Sequence, residues 1–421
     1  MIEIKLTQDQ NENYKILSTT LSYGGEYKIL SGTYPISKPI NLNLNNQSLS
    51  IYADGVTIEC VDFFQFEPQN KISYKDFGCI NLQNCVNLNI YGLCIRNTNL
   101  VLYGYINGLH LTNCHFAKIA GCYFNYHTFY GLVLRDCSNV QVKYSQVENC
   151  DFGGICIQGC SSIQINNNEI QSIGKEKNTQ FGYGITCATY PKINNDITIN
   201  NNIIKKCSRK CVDIHSGHNI VIDNNQIKCS NAYAAISAVD QSEVKNVNQV
   251  IISNNNIQCI SDINTTQAIE IGSYNDGTLM PQNTGNVDVI KNDISMITNV
   301  GGHGILVQNP NSGKTPSVNV KENTLLIRNS SSNKISNGIF LSNNKIPISN
   351  SKITKNNIYG DFMLGGIIIN GVIIDVIENN ISISHSTYGI GSSKYSSIKL
   401  SSNTIEKLDK IIEYRILGEQ L

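Results

Sequence analysis

One short pattern recurs through most of the chain: an aliphatic residue, an Asn three positions later, and a second aliphatic residue two positions after that. Nine copies follow one another at intervals of 23 to 37 residues, and an earlier copy has Ser145 in place of the Asn. The nine Asn residues are Asn168, Asn202, Asn225, Asn255, Asn292, Asn323, Asn356, Asn379 and Asn403. Upstream of most copies, a small residue precedes an aliphatic, a variable and another aliphatic residue. Each unit therefore carries short alternating strands with turns between them.

This repeat constrains the fold because one unit is too small to bury its own apolar face. Alternation along a strand sends the aliphatic residues to one side, and stacked units bury that side together. Asn tolerates the left-handed backbone of a tight turn. In a stack, its amide can also bond to the Asn of the next coil. The pattern therefore predicts an all-β, right-handed parallel β-helix of about a dozen coils. A β-propeller would need longer, evenly spaced units with antiparallel hairpins.

The start of the chain lacks the Asn repeat and reads YKILSGTYPISKPI over 27–40, with Gly and Pro at its turns. This phrase, together with the coil pattern, resembles pectate-lyase-like β-helices, most closely the bacteriophage tailspike polysaccharide depolymerases. We therefore assign 1–60 to an N-terminal cap and first coil, and 61–406 to the β-helix with insertion loops. Residues 407–421 are assigned to a C-terminal cap, tail or short helix. The resemblance implies a polysaccharide substrate and a homotrimer.

Charge and composition narrow the function classes. The chain has 32 basic and 32 acidic residues and contains no Lys/Arg run, which argues against nucleic acid as a partner. It contains no apolar stretch long enough to cross a bilayer, so we expect no membrane insertion. Its first residues, MIEIKLTQDQ, are not a signal peptide of the usual kind. With the tailspike resemblance, these features predict a virion protein or an extracellular protein without a classical signal.

The cysteines are numerous and confined to one part of the chain. All 15 lie between Cys60 and Cys259, and they recur about once per coil. We interpret them as small buried hydrophobic residues that fill stacked turns. They form no CxxC pair and their columns contain no His, so we expect no zinc site.

Two acids stand out when the first strands of the coils are aligned. Asp213 and Glu270 fall in one outward-facing column, two rungs apart, which corresponds to roughly 9–10 Å at the backbone. Inverting glycosidases separate their two carboxyl groups by about 6.5–9.5 Å. The pair is therefore predicted to be the acid and base of an inverting hydrolysis, with His215 orienting them. A retaining mechanism would need a closer partner, for which Asp240, also a candidate to bind the sugar, is available.

Further side chains around this pair have the chemistry to bind a sugar. Aromatic faces stack on sugar rings, which suits Tyr183 and Tyr274, while Lys210 can bond hydroxyl or carboxylate groups. Arg135, three rungs earlier in the His215 column, is a candidate to hold an acidic sugar. His303, a further candidate to bind the sugar, lies in a GGHG sequence. That sequence is similar to the GHG phrase of polygalacturonases, but their paired-Asp phrase is missing upstream.

These residues leave three functions open. The first is a depolymerase that hydrolyses a bacterial capsular polysaccharide or exopolysaccharide without a cofactor or metal. The second is a polysaccharide lyase acting on a uronic-acid glycan, with base, neutraliser and acid drawn from Lys210, His215, Arg135 and Tyr183. A lyase would add Ca²⁺ as a possible cofactor, although no Asp cluster forms a clear cage. The third is a non-catalytic glycan-binding adhesin or fibre.

Overall fold

The computed structural model of the protein describes most of the chain. The described residues are 1–61, 78–98, 106–175, 181–188, 192–240, 247–273, 285–309, 317–330, 335–343, 351–361, 363–393, 396–406 and 414–417. Within these ranges the side chains at 240, 273, 309, 343, 397 and 414–417 lie outside the description. The chain divides into two compact units, Met1–Ile204 and Lys205–Leu421.

The first unit begins with a strand and a helix and continues as strands. Strand β19 (Ile203–Cys207) crosses the boundary between the units. The elements before it are β1 (Ile2–Ile4), α1 (Gln10–Leu21), β2 (Gly25–Ile29), β3 (Gly32–Ile36), β4 (Ile40–Asn43), β5 (Leu49–Cys60), β6 (Gly78–Gln83), β7 (Leu88–Asn97), β8 (Asn107–Thr112), β9 (His115–Ala120), β10 (Tyr123–Asn125), β11 (Tyr130–Arg135), β12 (Ser138–Lys143), β13 (Gln146–Glu148), β14 (Gly153–Gln158), β15 (Ser161–Asn166), β16 (Glu169–Ile173), β17 (Tyr183–Cys187) and β18 (Asn195–Asn200).

The second unit is built only of strands in its described residues. They are β20 (Lys210–Ile214), β21 (Gly217–Asp223), β22 (Gln226–Ser230), β23 (Ala234–Asp240), β24 (Val247–Ser253), β25 (Asn256–Ser261), β26 (Thr266–Ser273), β27 (Val287–Ile290), β28 (Asp293–Thr298), β29 (Gly302–Asn309), β30 (Val318–Lys321), β31 (Thr324–Asn329), β32 (Ser336–Asn343), β33 (Ser351–Thr354), β34 (Asn357–Asp361), β35 (Gly365–Asn370), β36 (Ile373–Ile377), β37 (Asn380–Ser384), β38 (Tyr388–Ser393), β39 (Ser397–Ser401), β40 (Thr404–Glu406) and β41 (Tyr414–Leu417). The predicted terminal segment thus contains a strand, β41, which pairs with β38.

Helix α1 is an element that the sequence pattern did not predict. The side chain of Asp9 caps its first turn by accepting from the backbone N–H groups of Asn11 and Glu12. The helix packs on β3 and β4 and buries Asn13, Leu17 and Leu21. The first of these buried residues, Asn13, is polar. The helical spacing of apolar residues that would have indicated a helix is therefore incomplete in the sequence. Among the described residues, no helix is long and apolar enough to cross a membrane.

The strands stack in parallel, and in the second unit they form three sheets. Sheet I contains β4, β6, β8, β11, β14 and β17 in the first unit, and β20, β23, β26, β29, β32, β35, β38 and β41 in the second. In the second unit, sheet II contains β21, β24, β27, β30, β33, β36 and β39. Sheet III there contains β22, β25, β28, β31, β34, β37 and β40. This is the parallel β-helix that the repeat predicts.

The aliphatic residues of the repeat form the core. Ile236, Ile269 and Ile305 lie in register on successive rungs of sheet I, and each is fully buried. In the early coils, a bend within one long strand replaces the turn that separates two strands in later coils. Strands β5 and β7 bend at Gly55 and Gly92, whose φ values are 70° and 69°. Glycine suits these left-handed corners because it has no Cβ to clash.

The predicted Asn ladder is present. In the second unit it runs through Asn225, Asn255, Asn292, Asn323, Asn356, Asn379 and Asn403. Asn255 is typical, because its backbone N and its Nδ2 donate to Oδ1 of Asn292 at 3.0 and 2.9 Å. Its Nδ2 also donates to the carbonyl of Ile222 at 2.9 Å. One side chain thus satisfies groups that a buried turn would otherwise leave without partners.

The backbone role predicted for these Asn residues is wrong. The left-handed residue is the one before each ladder Asn, for example Asn254 (φ 53°) and Lys291 (φ 57°). The ladder Asn is needed for its amide rather than for its backbone conformation.

The interpretation of the cysteines is confirmed. All fifteen are free thiols, and all except the half-buried Cys94 are buried. Burial raises the pKa of Cys150 to about 12, which leaves its thiol protonated and unreactive at neutral pH.

Candidate functional site

The two predicted acids lie on one side of sheet I, as expected. Asp213 in β20 pairs in register with Ser237 in β23, and Ser237 pairs with Glu270 in β26. The strand neighbours of Asp213, Val212 and Ile214, are fully buried in the aliphatic core. Alternation therefore places Asp213 and Glu270 on the outer side of the sheet, two rungs apart.

The expectation that this column faces solvent is wrong. Asp213 is 0% exposed and Glu270 only 2%. These outer positions are therefore covered. One covering group is Tyr233, in the turn before β23, whose hydroxyl donates to Glu270 Oε1 at 3.2 Å. In the first unit, Asn81, His110, Val133, Cys156 and Thr186 lie in register in one column of sheet I, and they are buried as well.

A single ammonium group joins the two carboxylates. Lys210 Nζ donates to Asp213 Oδ1 and to Ser237 Oγ, each at 3.0 Å, and lies 3.9 Å from Glu270 Oε2. Ser237 Oγ in turn donates to Glu270 Oε2 at 3.0 Å. Lys210 is itself only 3% exposed. The result is a continuous buried chain of charged and polar groups across three rungs.

His215 completes this group of residues from the end of β20. Its Nε2 lies 2.5 Å from Asp213 Oδ2, and its side chain is 14% exposed. Burial opposes ionisation of Asp213, but His215 and Lys210 outweigh burial and hold the pKa of that carboxyl well below its usual range. Asp213 therefore stays anionic at neutral pH and cannot act as the proton donor.

Lys210, Asp213, His215, Tyr233, Ser237 and Glu270 are called the Asp213 cluster below. Within it, Tyr233 was missed by sequence reasoning. Its side chain is 37% exposed, and Lys210 Nζ lies 5.8 Å from the centre of its ring. The signal was available, because aromatic residues also precede the strands of sheet I at Phe129 and Phe152. Tyr233 lies one residue before β23, outside the strand columns that contain the predicted residues.

His303 does not belong to the Asp213 cluster. It lies three rungs from Lys210 in the same column, or roughly 14 Å at the backbone. Its ring packs on Phe340 with 5.0 Å between ring centres, and Nδ1 lies 3.2 Å from Asn337 Nδ2. Burial lowers its pKa to about 4, so the ring is neutral at pH 7.

The remaining predicted ligands of the sugar lie in the first unit or outside the described residues. In the first unit, Arg135 is buried and donates from Nε and Nη2 to Gln158 Oε1 at 3.1 and 3.0 Å. Tyr183, also in the first unit, is half-buried, and its ring centre lies 5.7 Å from that of Phe152. Their contact with a sugar stays a prediction. The side chain of Asp240 and the whole of Tyr274 lie outside the described residues.

No metal centre accompanies these groups in the part of the chain that the structure describes, where no three His, Cys, Asp or Glu side chains are placed to hold an ion. The absence of a cofactor stays a prediction.

Comparison with known families identifies the family of this fold. The sequence profile of the right-handed β-helix region matches residues 40–195 and 103–257, more than half of the chain. The chain belongs to the right-handed β-helix family. The resemblance stated from the sequence is confirmed at this level. No curated protein matches the sequence.

Two solved structures illustrate what this β-helix is similar to. The Streptococcus pneumoniae surface protein and adhesin PfbA is 14% identical with a TM-score of 0.55, over 99% of this chain and 96% of PfbA. The tailspike protein of E. coli bacteriophage HK620, solved with a pentasaccharide, is 13% identical with a TM-score of 0.54. That match covers 95% of this chain and 76% of the tailspike. At these identities the likeness shows the fold that is shared with a tailspike and with an adhesin.

Proposed function

We propose that the protein is a depolymerase that hydrolyses a bacterial capsular polysaccharide or exopolysaccharide at the Asp213 cluster. The observation that carries the proposal is the buried network of one ammonium and two carboxylates that ends in two partly exposed groups, His215 and Tyr233. Buried ion clusters add little net stability, because desolvation offsets their attraction. Such a network around a perturbed carboxyl is typical of a functional site.

The exposed ends of the network are assigned the contacts with substrate. His215 is the base that takes a proton from water, and anionic Asp213 is a positioning residue that fixes the ring through Nε2. The hydroxyl of that water adds to the anomeric carbon, and the glycosidic bond breaks. Tyr233 donates its proton to the departing oxygen. Lys210, which lies 5.8 Å from the Tyr233 ring centre, stabilises the phenolate that forms until solvent returns the proton.

These roles revise the acid and base predicted from the sequence. Asp213 and Glu270 become positioning residues because both are buried, and Glu270 is held by Tyr233 and Ser237. Hydrolysis is preferred to elimination because the cations predicted to neutralise a uronate, Lys210 and Arg135, are buried and engaged with protein groups.

The test is release of reducing ends from purified bacterial polysaccharides. We expect His215→Ala and Tyr233→Phe to lose most of the activity of the wild type. The matched control is the exposed pair of His385 and Asp361, whose Nδ1 and Oδ1 are 2.8 Å apart. His385→Ala and Asp361→Asn should cleave normally. Full activity in both cluster variants would remove the assignment, and unsaturated products absorbing in the ultraviolet would indicate elimination instead.

The second candidate is a non-catalytic glycan-binding adhesin. The burial of both carboxylates favours it, since neither acid reaches solvent in this structure. A polysaccharide that the protein retains on a column, yet whose length is unchanged by size-exclusion chromatography, would support the adhesin. The homotrimer implied by the tailspike resemblance stays a prediction that light scattering can test under either function.

A further inference from the structure

An open groove lies on a different sheet from the Asp213 cluster. It has a volume of about 760 Å³ and runs across β27, β30, β33 and β36 of sheet II. Asp288, Asn319, Lys352 and Asp375 occupy the same outward position on these four successive rungs. Whereas the outer side of sheet I is covered at the cluster, this side of sheet II is open to a ligand.

The side chains of the groove combine hydrogen-bonding groups with exposed aliphatic surface. Asn319 Nδ2 donates to Asp288 Oδ1 at 2.8 Å, which orients that carboxylate. Lys321 lines the groove in a second row, and Ile373 is 49% exposed at its end. The four charged residues that line it are two Asp and two Lys, so the groove carries no net charge.

We propose that this groove binds an uncharged segment of a glycan chain, as a binding site separate from the catalytic cluster. Sugar hydroxyls both donate and accept, and each rung offers a carboxylate, amide or ammonium partner for them. The apolar face of a sugar ring can cover Ile373. Four rungs span roughly 14 Å, which suits a chain extended along the stacking direction. An anionic segment would meet Asp288 and Asp375 as well as the lysines, so a neutral one fits better.

A peptide ligand is a poorer match for this surface. Peptides that recognise sheets add a strand at a free edge, where backbone groups are unpaired. The groove lies on a sheet face whose strands are paired on both sides, so it offers side chains only. The proposal rests on the proposed function in one respect, namely that the ligand is a glycan.

The experiment is binding to an array of purified neutral and anionic bacterial polysaccharides. The test variant, Lys352→Ala with Asp375→Ala, removes one charge of each sign from the groove. The control, Lys355→Ala with Glu378→Ala, removes the same two charge types from an exposed ion pair with 3.4 Å between Nζ and Oε2. Melting curves of both variants should match the wild type.

We expect the wild type to bind neutral polymers with equal strength in about 0.1 M and about 1 M salt, because a neutral ligand is insensitive to screening. The test variant should bind at least about tenfold more weakly, since hydrogen bonds to two charged groups are lost. The control variant should bind like the wild type. Binding to anionic polymers alone, equal binding by the test variant, or no binding to any polymer would overturn the proposal.

The result separates this proposal from the proposed function. If binding to the array depends on the groove but no reducing ends are released, the proposed glycan-binding groove is supported and the proposed depolymerase activity is rejected. If cleavage depends on His215 but the groove variant binds the array as strongly as the wild type, the depolymerase activity is supported and the glycan-binding groove is rejected.

Discussion

Nε2 of His215 lies 2.5 Å from Oδ2 of Asp213, two residues earlier in the chain, and only the imidazole reaches solvent. The contact joins a carboxylate that is held ionised to a ring placed at the surface. His215 directly follows β20, and continuing the alternation of the strand by one residue brings its side chain to the side of Asp213. The pair therefore gives the Asp213 cluster a defined outward group.

Asp213→Asn is expected to lower polysaccharide cleavage by about 10²-fold or more, because His215 loses the anion that fixes its ring and supports its charge as a base. The reducing-end assay measures this change. Asp361→Asn, which alters the exposed His–Asp pair, is the control and should have little effect. Equal cleavage by Asp213→Asn and the wild type would show that His215 does not need the carboxylate.

Tyr233→Phe is expected to lower kcat with little change in KM, because the ring stays in place while the hydroxyl that donates to Glu270 is lost. Steady-state kinetics on a polysaccharide of defined length separates the two constants. Tyr52→Phe, at an exposed ring stacked on Tyr91, is the control for a lost surface hydroxyl. A rise in KM at constant kcat would instead assign Tyr233 to binding.

The fold and the rung positions could be predicted from the sequence because both follow from the spacing of residues within and between repeats. Alternation directs Ile236 inward, and the repeat length places Glu270 two rungs from Asp213. The burial of the acids could not be predicted in this way. It depends on how a turn residue such as Tyr233 lies across the neighbouring coil, which no period encodes.

The position of Lys210 shows the same limit. The sequence predicts that it shares a strand with Asp213, and the structure adds an ion pair with 3.0 Å between Nζ and Oδ1 that was not predicted. That the same ammonium also approaches Glu270 and bonds Ser237 depends on stacking of three coils in one register. The sequence of one strand does not show that Lys210, Ser237 and Glu270 come together.

Lys210→Met is expected to destabilise the protein by about 3–5 kcal/mol, because it leaves Asp213 and Glu270 buried without their shared cation. Urea unfolding measures the change in free energy. Lys355→Met, which breaks the exposed pair with Glu378, should change it by about 1 kcal/mol or less. A loss as small as that of the control would mean that solvent reaches the two carboxylates.

The stability of the protein should fall between about pH 6.5 and about pH 4, in part through His303. Burial lowers the folded-state pKa of His303 to about 4, whereas the unfolded value is about 6.5. Below the pKa of His303 in the unfolded state, the unfolded chain binds a proton that the folded state does not bind. Stability is therefore lost as the pH decreases through this window. Urea unfolding at several pH values measures the slope. His303→Gln should make it shallower, and an unchanged slope would assign the loss to other groups, such as buried His110, whose pKa burial also lowers to about 4.

Asn323→Ala should be among the most destabilising single changes in the second unit. The Oδ1 of Asn323 accepts from the backbone N and the Nδ2 of Asn292, and its Nδ2 donates to the carbonyl of Val289. Each buried group left without a partner costs about 1–3 kcal/mol, so we expect a loss of about 3 kcal/mol or more in urea unfolding. Asn403→Ala is the control, because Asn403 is half-buried at the last rung of the ladder and solvent can replace part of what is lost. Equal losses at the two positions would mean that the ladder does not depend on burial for its strength.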